Sequence, residues 1–426
     1  MSSQRQISLP AEALAHPIAI MGAGVSGLAV RELCVAKGFE SVIYDERNPD
    51  ADSFEFGLAQ VAKHKLVVFS PGFSPQHGWL ALARSAGCIC IGETDFGSLF
   101  WPGNIIAITG TNGKTTLCDF LTEALNQSGF HAYACGNIGL PLSKLACEAV
   151  NGAVAVCEIS SFQAETLNYF RADALIWTNF SETHLDRHNT LKEYFTAKWN
   201  LLSRMRQSHF YCDESVAAHA SQFGYELPPF TKIAGKPDPE LMFGPESAFS
   251  HAGQRRNLML AIDFWRDADL NRDQLLSIAA TFGIRSNRLH KVTEADGVSW
   301  WNDSKSTNFA AVFGALEQFN QPVIWIGGGQ NRGGDIEGFA HRLRPRIRAA
   351  YVLGEVGPKL EQLFSASGVC AKSFTHLAGA VAEAYKSAQQ GDVVLLSPGF
   401  SSQDQFTGYA ERGTLFEQSV LQLLSP

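Results

Sequence analysis

Short apolar runs separated by amphipathic stretches recur along the whole chain. The first, IAIM at Ile18–Met21, leads into the glycine turn GAGVSG and then LAVRELCVAK, whose apolar positions recur at helical spacing until Gly38 stops them. SVIYDE follows, so the opening predicts a strand–helix–strand unit. KLVVFSPG and CICIGE continue the alternation to about residue 98, where LFWPGN, with Pro102 and Gly103, has the composition of a linker. A second series begins with NIIAITG at Asn104, passes through GAVAVCEIS and ADALIWTNF to a helical LMLAIDFWRDADL, and breaks at GIRSN. A third, from about residue 285, holds VSWWND, PVIWIGGG, AAYVLG and VVLLSPG. This alternation is that of mostly parallel α/β sheets. The expected architecture is three α/β domains in series, over residues 1–99, 100–284 and 285–426.

A length of 426 residues suits two to four domains. Hydrophobic residues at 45% and charged residues at 18% exclude intrinsic disorder. The 34 basic residues are outnumbered by 42 acidic ones, for a net charge of -8, and no basic run offers a footprint for nucleic acid. The nine cysteines are scattered, which fits neither a disulfide framework nor a paired zinc site and suits a reducing cytoplasm. The first twenty residues carry Glu12, His16 and two prolines where a signal peptide needs an apolar run, and no transmembrane run follows. A cytoplasmic protein with no membrane or nucleic-acid partner is expected.

Two glycine motifs carry the candidate chemistry. Gly22, Gly24 and Gly27 form GxGxxG between strand and helix, and Asp45 ends the next strand eighteen residues later. Glycines there let a phosphate approach main-chain N–H groups at a helix N-terminus, and Asp45 is placed to accept from a ribose hydroxyl. Any nucleotide diphosphate would suit. The second motif, GTNGKTT at Gly110–Thr116, again joins a strand to a helix. Position 108 holds Ile108 where the general phosphate-loop pattern has glycine, but GKTT is intact. The N–H groups of Gly110, Thr111, Asn112 and Gly113, with Lys114, neutralise β- and γ-phosphates, and Thr115, followed by Thr116, offers a hydroxyl to Mg²⁺. Glu158 ends an apolar strand within reach of such a metal. His184 follows another strand and by itself is as readily a surface histidine. Lys198 falls on the apolar stripe of Leu191, Tyr194, Phe195, Leu201 and Leu202. A lysine there is either buried, neutral and able to take up CO₂ as a carbamate, or snorkels to the rim, and the pattern leaves both open.

In combination, GAGVSG, SPG at Ser70–Gly72, AITGTNGKTT, GNIG at Gly136–Gly139, EISSFQ, HLDRH, FTAK, NDSKSTN at Asn302–Asn308, GGGQNRG, and LLSPGFSSQDQF with the later ERG span nearly the whole chain. They resemble the Mur ligases, which build the peptide of bacterial cell-wall precursors, and NDSKSTN is similar to the glutamate-adding branch. The resemblance implies a three-domain architecture: a Rossmann-like UDP-binding domain, a central P-loop ATPase domain and a Rossmann-like amino-acid-binding domain. It implies transfer of the γ-phosphate of ATP to a substrate carboxylate, then attack by the amine of glutamate, most readily D-glutamate, on UDP-N-acetylmuramoyl-L-alanine. Lys114 would bind phosphate. Thr115 and Glu158 would hold one Mg²⁺, and His184 with carbamylated Lys198 a second. Gly24, Val25, Ser26, Glu46, Arg47, Ser70 and Gly72 would surround the UDP, with Asn137, Ser160 and Gln163 toward the muramoyl end. Asn257, Arg288 and Asp303 would contact ATP, and Lys305, Thr307, Arg332, Ser402 and Tyr409 the amino acid. Closure of the third domain would complete the site, and family habit implies a monomer.

The chain departs from the family pattern at several positions. Arg256, Asn257 and Leu260 stand where His-Asn-x-x-Asn is usual, Thr183 replaces an acidic residue before His184, Ser286 and Asn287 precede Arg288, Gly399, Phe400 and Ser401 follow the Ser-Pro pair, and Tyr409 replaces a Phe. A sibling ligase with another acceptor, including L-glutamate, is the alternative. A nicotinamide oxidoreductase built on GAGVSG and Asp45 would leave GTNGKTT, Glu158 and Lys198 without a role.

Overall fold

The computed structural model describes residues 9–148, 151–183, 185–244, 246–250, 252–283 and 286–424. His184 lies outside them. Three sheets follow one another along the chain. The first holds β1 (Ile18–Met21), β2 (Ser41–Tyr44), β3 (Leu66–Phe69) and β4 (Ile89–Gly92) in the order β2-β1-β3-β4. The second holds β5 (Asn104–Thr109), β6 (Ala132–Gly136), β7 (Val154–Glu158), β8 (Ala174–Trp177), β9 (Phe210–Cys212) and β10 (Thr231–Ile233), ordered β10-β9-β8-β5-β7-β6. The third holds β11 (His290–Ala295), β12 (Val298–Asn302), β13 (Val323–Gly328), β14 (Ile347–Leu353), β15 (Cys370–Phe374) and β16 (Val393–Gly399), ordered β11-β12-β16-β13-β14-β15. All pairings are parallel except β11 with β12.

Helices cover the sheets on both faces, which is why the central strands are unbroken apolar runs. Every residue of β1, β3, β7, β8, β13 and β16 is buried. The edge strands β11 and β15 are half-buried and carry no such run. In each sheet the chain order reverses, and in parallel α/β sheets ligands bind where strand carboxyl ends flank such a reversal. The first reversal lies between β1 and β3, ahead of Gly22 and Ser70. The second lies around β5, ahead of the phosphate loop. In the third, β16 inserts between β12 and β13, so three loops distant in sequence leave neighbouring strands at one edge.

The described chain divides into two compact units. One comprises Met1–Phe180, Phe195–Lys236 and Asn257–Leu275, and so holds the first two sheets; the other comprises Ser181–Tyr194, Pro237–Arg256 and Leu276–Pro426 and holds the third. Within the first unit the segment with linker-like composition is packed. The preceding helix, Glu93–Phe100, runs straight into Trp101, which is buried, and a Cβ on Gly103 would lie 1.8 Å from Ala153 O. Glu93 Oε1 accepts from Ser143 N at 2.7 Å, and Asp95 accepts from the N–H groups of Asn168, Tyr169 and Phe170 at 2.8–3.0 Å. Burial pushes both carboxyls up, against those hydrogen bonds.

Candidate active site

At the first sheet's reversal, Gly22 has φ of 98°, Gly24 caps the Val25–Lys37 helix, and Gly27 packs against the turn so closely that a Cβ would lie 1.8 Å from Gly22 O. No atom lies within 4 Å of a Cβ built on Gly24 or on Gly72, leaving space above the exposed helix end. Val25 is 74% exposed there, Glu46 and Arg47 are exposed after β2, and Ser70 follows β3. Asp45 has a structural job that its spacing did not suggest. Its Oδ2 accepts from Ala23 N at 3.0 Å and its Oδ1 from Arg47 N and Asn48 N at 3.0 Å each, so the carboxylate ties β2 to the glycine turn. Burial raises its pKa, but the three amides outweigh this and hold it below the usual range.

Ahead of β5 the phosphate loop is braced from the next strand. Thr178 Oγ1 donates to Asn112 O at 2.7 Å, Asn179 O accepts from Thr111 N at 3.0 Å, and Asn179 Oδ1 accepts from Asn112 N at 2.9 Å. Sequence reasoning missed this pair, whose only mark was two polar residues directly after an apolar strand. Gly110 has φ of 143° and Gly113 of 79°; a Cβ on Gly113 would lie 2.1 Å from Asn257 Nδ2. Asn257, buried on the Ala252–Asp267 helix, therefore does reach the loop. Leu260 is fully buried, so that position belongs to the core and offers no contact to a base.

Lys114 Nζ donates to Gly110 O at 2.9 Å and Thr111 O at 3.0 Å. Thr115 Oγ1 donates to Glu158 Oε2 at 2.7 Å, as the adjacency of β5 and β7 requires, while Asn137 Nδ2 donates to Glu158 Oε1 at 2.8 Å. Lys198 is 1% exposed on the Leu191–Trp199 helix, its Nζ donating to Gly110 O at 3.0 Å and Thr109 Oγ1 at 3.2 Å. That decides between burial and snorkelling. Burial, and then the charge of Lys114, hold its pKa well below the lysine range against the pull of Glu158. Nearby, Gln163 Oε1 accepts from Ser160 N and Oγ at 2.9 and 2.7 Å, and its amide donates to Thr94 Oγ1 at 3.1 Å.

The second unit gathers the remaining candidates at the ends of β12, β13 and β16. Asp303 is buried. Its Oδ1 accepts from Leu289 N at 3.1 Å and its Oδ2 from Ser397 Oγ at 2.9 Å and from Ser306 Oγ, clasping the Arg288 turn to two strand ends. Burial raises it to about 7 against those bonds and the nearby Arg288 charge. Asn287 and Leu289, on either side of Arg288, both have positive φ, 65° and 49°, conformations that persist only where surroundings enforce them. Lys305 Nζ sits 3.8 Å from the centroid of the Tyr409 ring. Arg332 donates to Gln403 Oε1 at 2.6 Å, Thr307 is exposed, and Ser402 is buried beside them in sequence at the β16 loop. A cavity here is lined by Thr183, Thr307, Asn308, Gln330, Arg332 and Phe400, among others. Arg412 of the ERG sequence is fully buried beneath it, donating from Nε to Ser304 Oγ at 3.0 Å, from Nη2 to Ser304 O at 2.8 Å and from Nη1 to Phe400 O at 3.3 Å. Burial lowers its pKa to about 10.

Fold and site together define a phosphate-loop α/β protein with a second glycine-turn site on its first sheet. Comparison with known proteins makes the class specific. The Mur ligase middle domain matches residues 108–222, and the Mur ligase glutamate ligase domain matches residues 287–400. A Pelotomaculum thermopropionicum protein named UDP-N-acetylmuramoylalanine--D-glutamate ligase is 31% identical over 95% of this chain and 97% of its own, and a Streptococcus pneumoniae protein of the same name is 32% identical over 84% and 83%. The chain belongs to the Mur ligase family. Among solved structures, UDP-N-acetylmuramate-alanine ligase MurC from Thermotoga maritima matches with a TM-score of 0.59 at 14% identity, covering 96% of this chain and 100% of that one. MurF from the same organism, in complex with ADP, gives 0.59 at 15% identity over 84% and 96%. At these identities the structures speak for the fold.

Proposed function

We propose that this chain is an ATP-dependent ligase that joins glutamate, as the D enantiomer, to UDP-N-acetylmuramoyl-L-alanine in cytoplasmic peptidoglycan precursor synthesis, acting as a monomer with domains over 1–99, 100–284 and 285–426. The observation that carries the reading is the phosphate loop closed on Glu158, with Lys198 buried beside it, in a chain that matches D-glutamate ligases over 95% of its length. The substrate carboxylate attacks the γ-phosphorus of ATP, the bond to the β-phosphate oxygen breaks, and ADP leaves. The amine then adds to the acyl phosphate carbonyl, and phosphate and a proton depart as the amide forms.

In this reading the N–H groups of the loop and Lys114 hold the phosphates, and Asn257 steadies the loop against the nucleotide. Arg288 brings positive charge to the triphosphate, and Asp303 fixes the turn that presents it. Gly24, Val25, Ser26, Glu46, Arg47, Ser70 and Gly72 bind UDP, with Ser160 and Gln163 toward the muramoyl end. Lys305, Thr307, Arg332, Ser402 and Tyr409 bind glutamate, whose second carboxylate suits cationic and hydroxyl donors. The donors present fit Mg²⁺: a threonine hydroxyl and a carboxylate oxygen 2.7 Å apart are hard oxygen ligands, and phosphate oxygens complete such sites. Mg²⁺ held there, and a second Mg²⁺ beside it, would screen the repulsion between triphosphate and carboxylate. A second position falls to His184 and Lys198. For Lys198 the neutral amine favoured by burial attacks CO₂ to give the N-carboxylate and a proton, and a chain oxygen becomes available to the metal.

The test is phosphate release from ATP with UDP-N-acetylmuramoyl-L-alanine and a panel of amino acids. Release confined to D-glutamate is expected. Release with L-glutamate or another amino acid would move the specificity to the departures at Tyr409 and Gly399–Ser401, and no release with any would overturn the choice of substrate.

A further inference from the structure

We propose that Asn137 is a positioning residue for the metal-binding carboxylate Glu158, and so links the substrate side of the site to the metal side; this rests on the reading of the site given above. The resemblance assigns Asn137 to the muramoyl substrate alone. The geometry adds a second duty. The GNIG turn that follows β6 is built against the end of β7: Asn137 N donates to Glu158 O at 2.8 Å, and Asn137 Nδ2 donates to Glu158 Oε1 at 2.8 Å. Gly136, with φ of 94°, allows this approach, since a Cβ there would lie 2.3 Å from Glu158 O. Main chain and side chain of one residue thus clasp Glu158 at both of its ends.

The carboxylate has few other guides. It is 2% exposed, and its other side-chain hydrogen bond is from Thr115 Oγ1 to Oε2. A carboxylate accepts and cannot donate, so the amide must turn its NH₂ toward Oε1, which fixes its own orientation and aims Oδ1 elsewhere. Among the described residues no hydrogen bond is made to Asn137 Oδ1. With Oε1 held, carboxylate rotation is restrained and Oε2 stays beside the Thr115 hydroxyl, the pair of oxygens that suits Mg²⁺. A single amide then serves both sides, Nδ2 for the metal carboxylate and Oδ1 for a donor on the substrate. Partners that orient a metal ligand typically contribute about 10- to 100-fold in affinity.

The experiment compares wild type, Asn137→Ala and Asn137→Asp. Mn²⁺ binding to the enzyme·ADP complex is followed by electron paramagnetic resonance of free Mn²⁺, beside melting temperature and the KM for the UDP substrate. Asn137→Ala is expected to weaken Mn²⁺ about tenfold at an unchanged melting temperature. Asn137→Asp keeps the size and an acceptor oxygen but opposes Glu158 with like charge, so its Mn²⁺ affinity falls at least as far while its KM for the UDP substrate rises less than that of Asn137→Ala. Unchanged Mn²⁺ affinity in both variants, with a raised substrate KM, would overturn the proposal and leave Asn137 a substrate contact only. Loss of Mn²⁺ affinity only in step with a fallen melting temperature would overturn it too. Failure of wild type to bind Mn²⁺ with ADP would instead count against the ligase reading itself, so the two failures are distinguishable.

Discussion

Replacing Gly27 by alanine isolates the first glycine motif from the second. The residue lies in the first turn of the Val25–Lys37 helix, so by helix propensity alone alanine gains about 1 kcal/mol. Against this, the new Cβ would lie 1.8 Å from Gly22 O and 3.4 Å from Ile20 Cγ2. Carbon–oxygen contacts tighten no further than about 3 Å, so helix and turn must part by about 1 Å, and overpacking of this kind costs about 1–3 kcal/mol. The net loss of stability is up to about 2 kcal/mol. The larger effect is expected on binding, because the helix N-terminus that would face the diphosphate in the proposed function moves with the helix, and misplacement by about 1 Å costs up to about 100-fold. Titration calorimetry with UDP and separately with ADP is the assay. UDP affinity is expected to fall between about tenfold and 100-fold, with ADP affinity within about twofold, since the phosphate loop belongs to the second sheet. Unchanged UDP affinity, or an equal fall for both ligands, would refute the assignment of separate duties to the two glycine motifs.

Lys198→Ala should lose about 100-fold or more in activity and be partly restored by a short carboxylic acid; full activity without the additive would remove the carbamate from the mechanism. Lys305→Ala should raise the KM for the amino acid far more than that for ATP, and equal effects would make Lys305 structural. Asp303 is raised to about 7 in the folded state, so the stability it contributes is greatest below the ordinary carboxylate range and is lost as pH rises through about 7. Asp303→Asn lacks this loss. Its stability relative to wild type should therefore climb between about pH 4 and pH 7 and level off above, as read by denaturant titration at each pH. A flat difference would show that Asp303 does not titrate there.

The sequence by itself determined the elements whose instructions are local. Apolar runs buried on both faces, glycines forced by positive φ at Gly22, Gly110 and Gly113, and the GKTT loop between strand and helix each carry their reason within a few residues. Edge strands β11 and β15 carry none, because one side of an edge faces water and the apolar run dissolves. Only the tertiary structure decided what depends on which strand lies beside which. The insertion of β16 between β12 and β13 brings NDSKSTN, GGGQNRG and SPGFSS to one edge. The adjacency of β7 to both β5 and β6 sets Glu158 between Thr115 and Asn137. The same holds for Asp45, whose spacing suggested a ligand but whose oxygens bind three main-chain amides, and for Lys198, whose stripe left burial and snorkelling open. Hydrogen-bond partners across a sheet are chosen by strand order and crossover packing, which act over scores of residues and leave no mark in a local pattern.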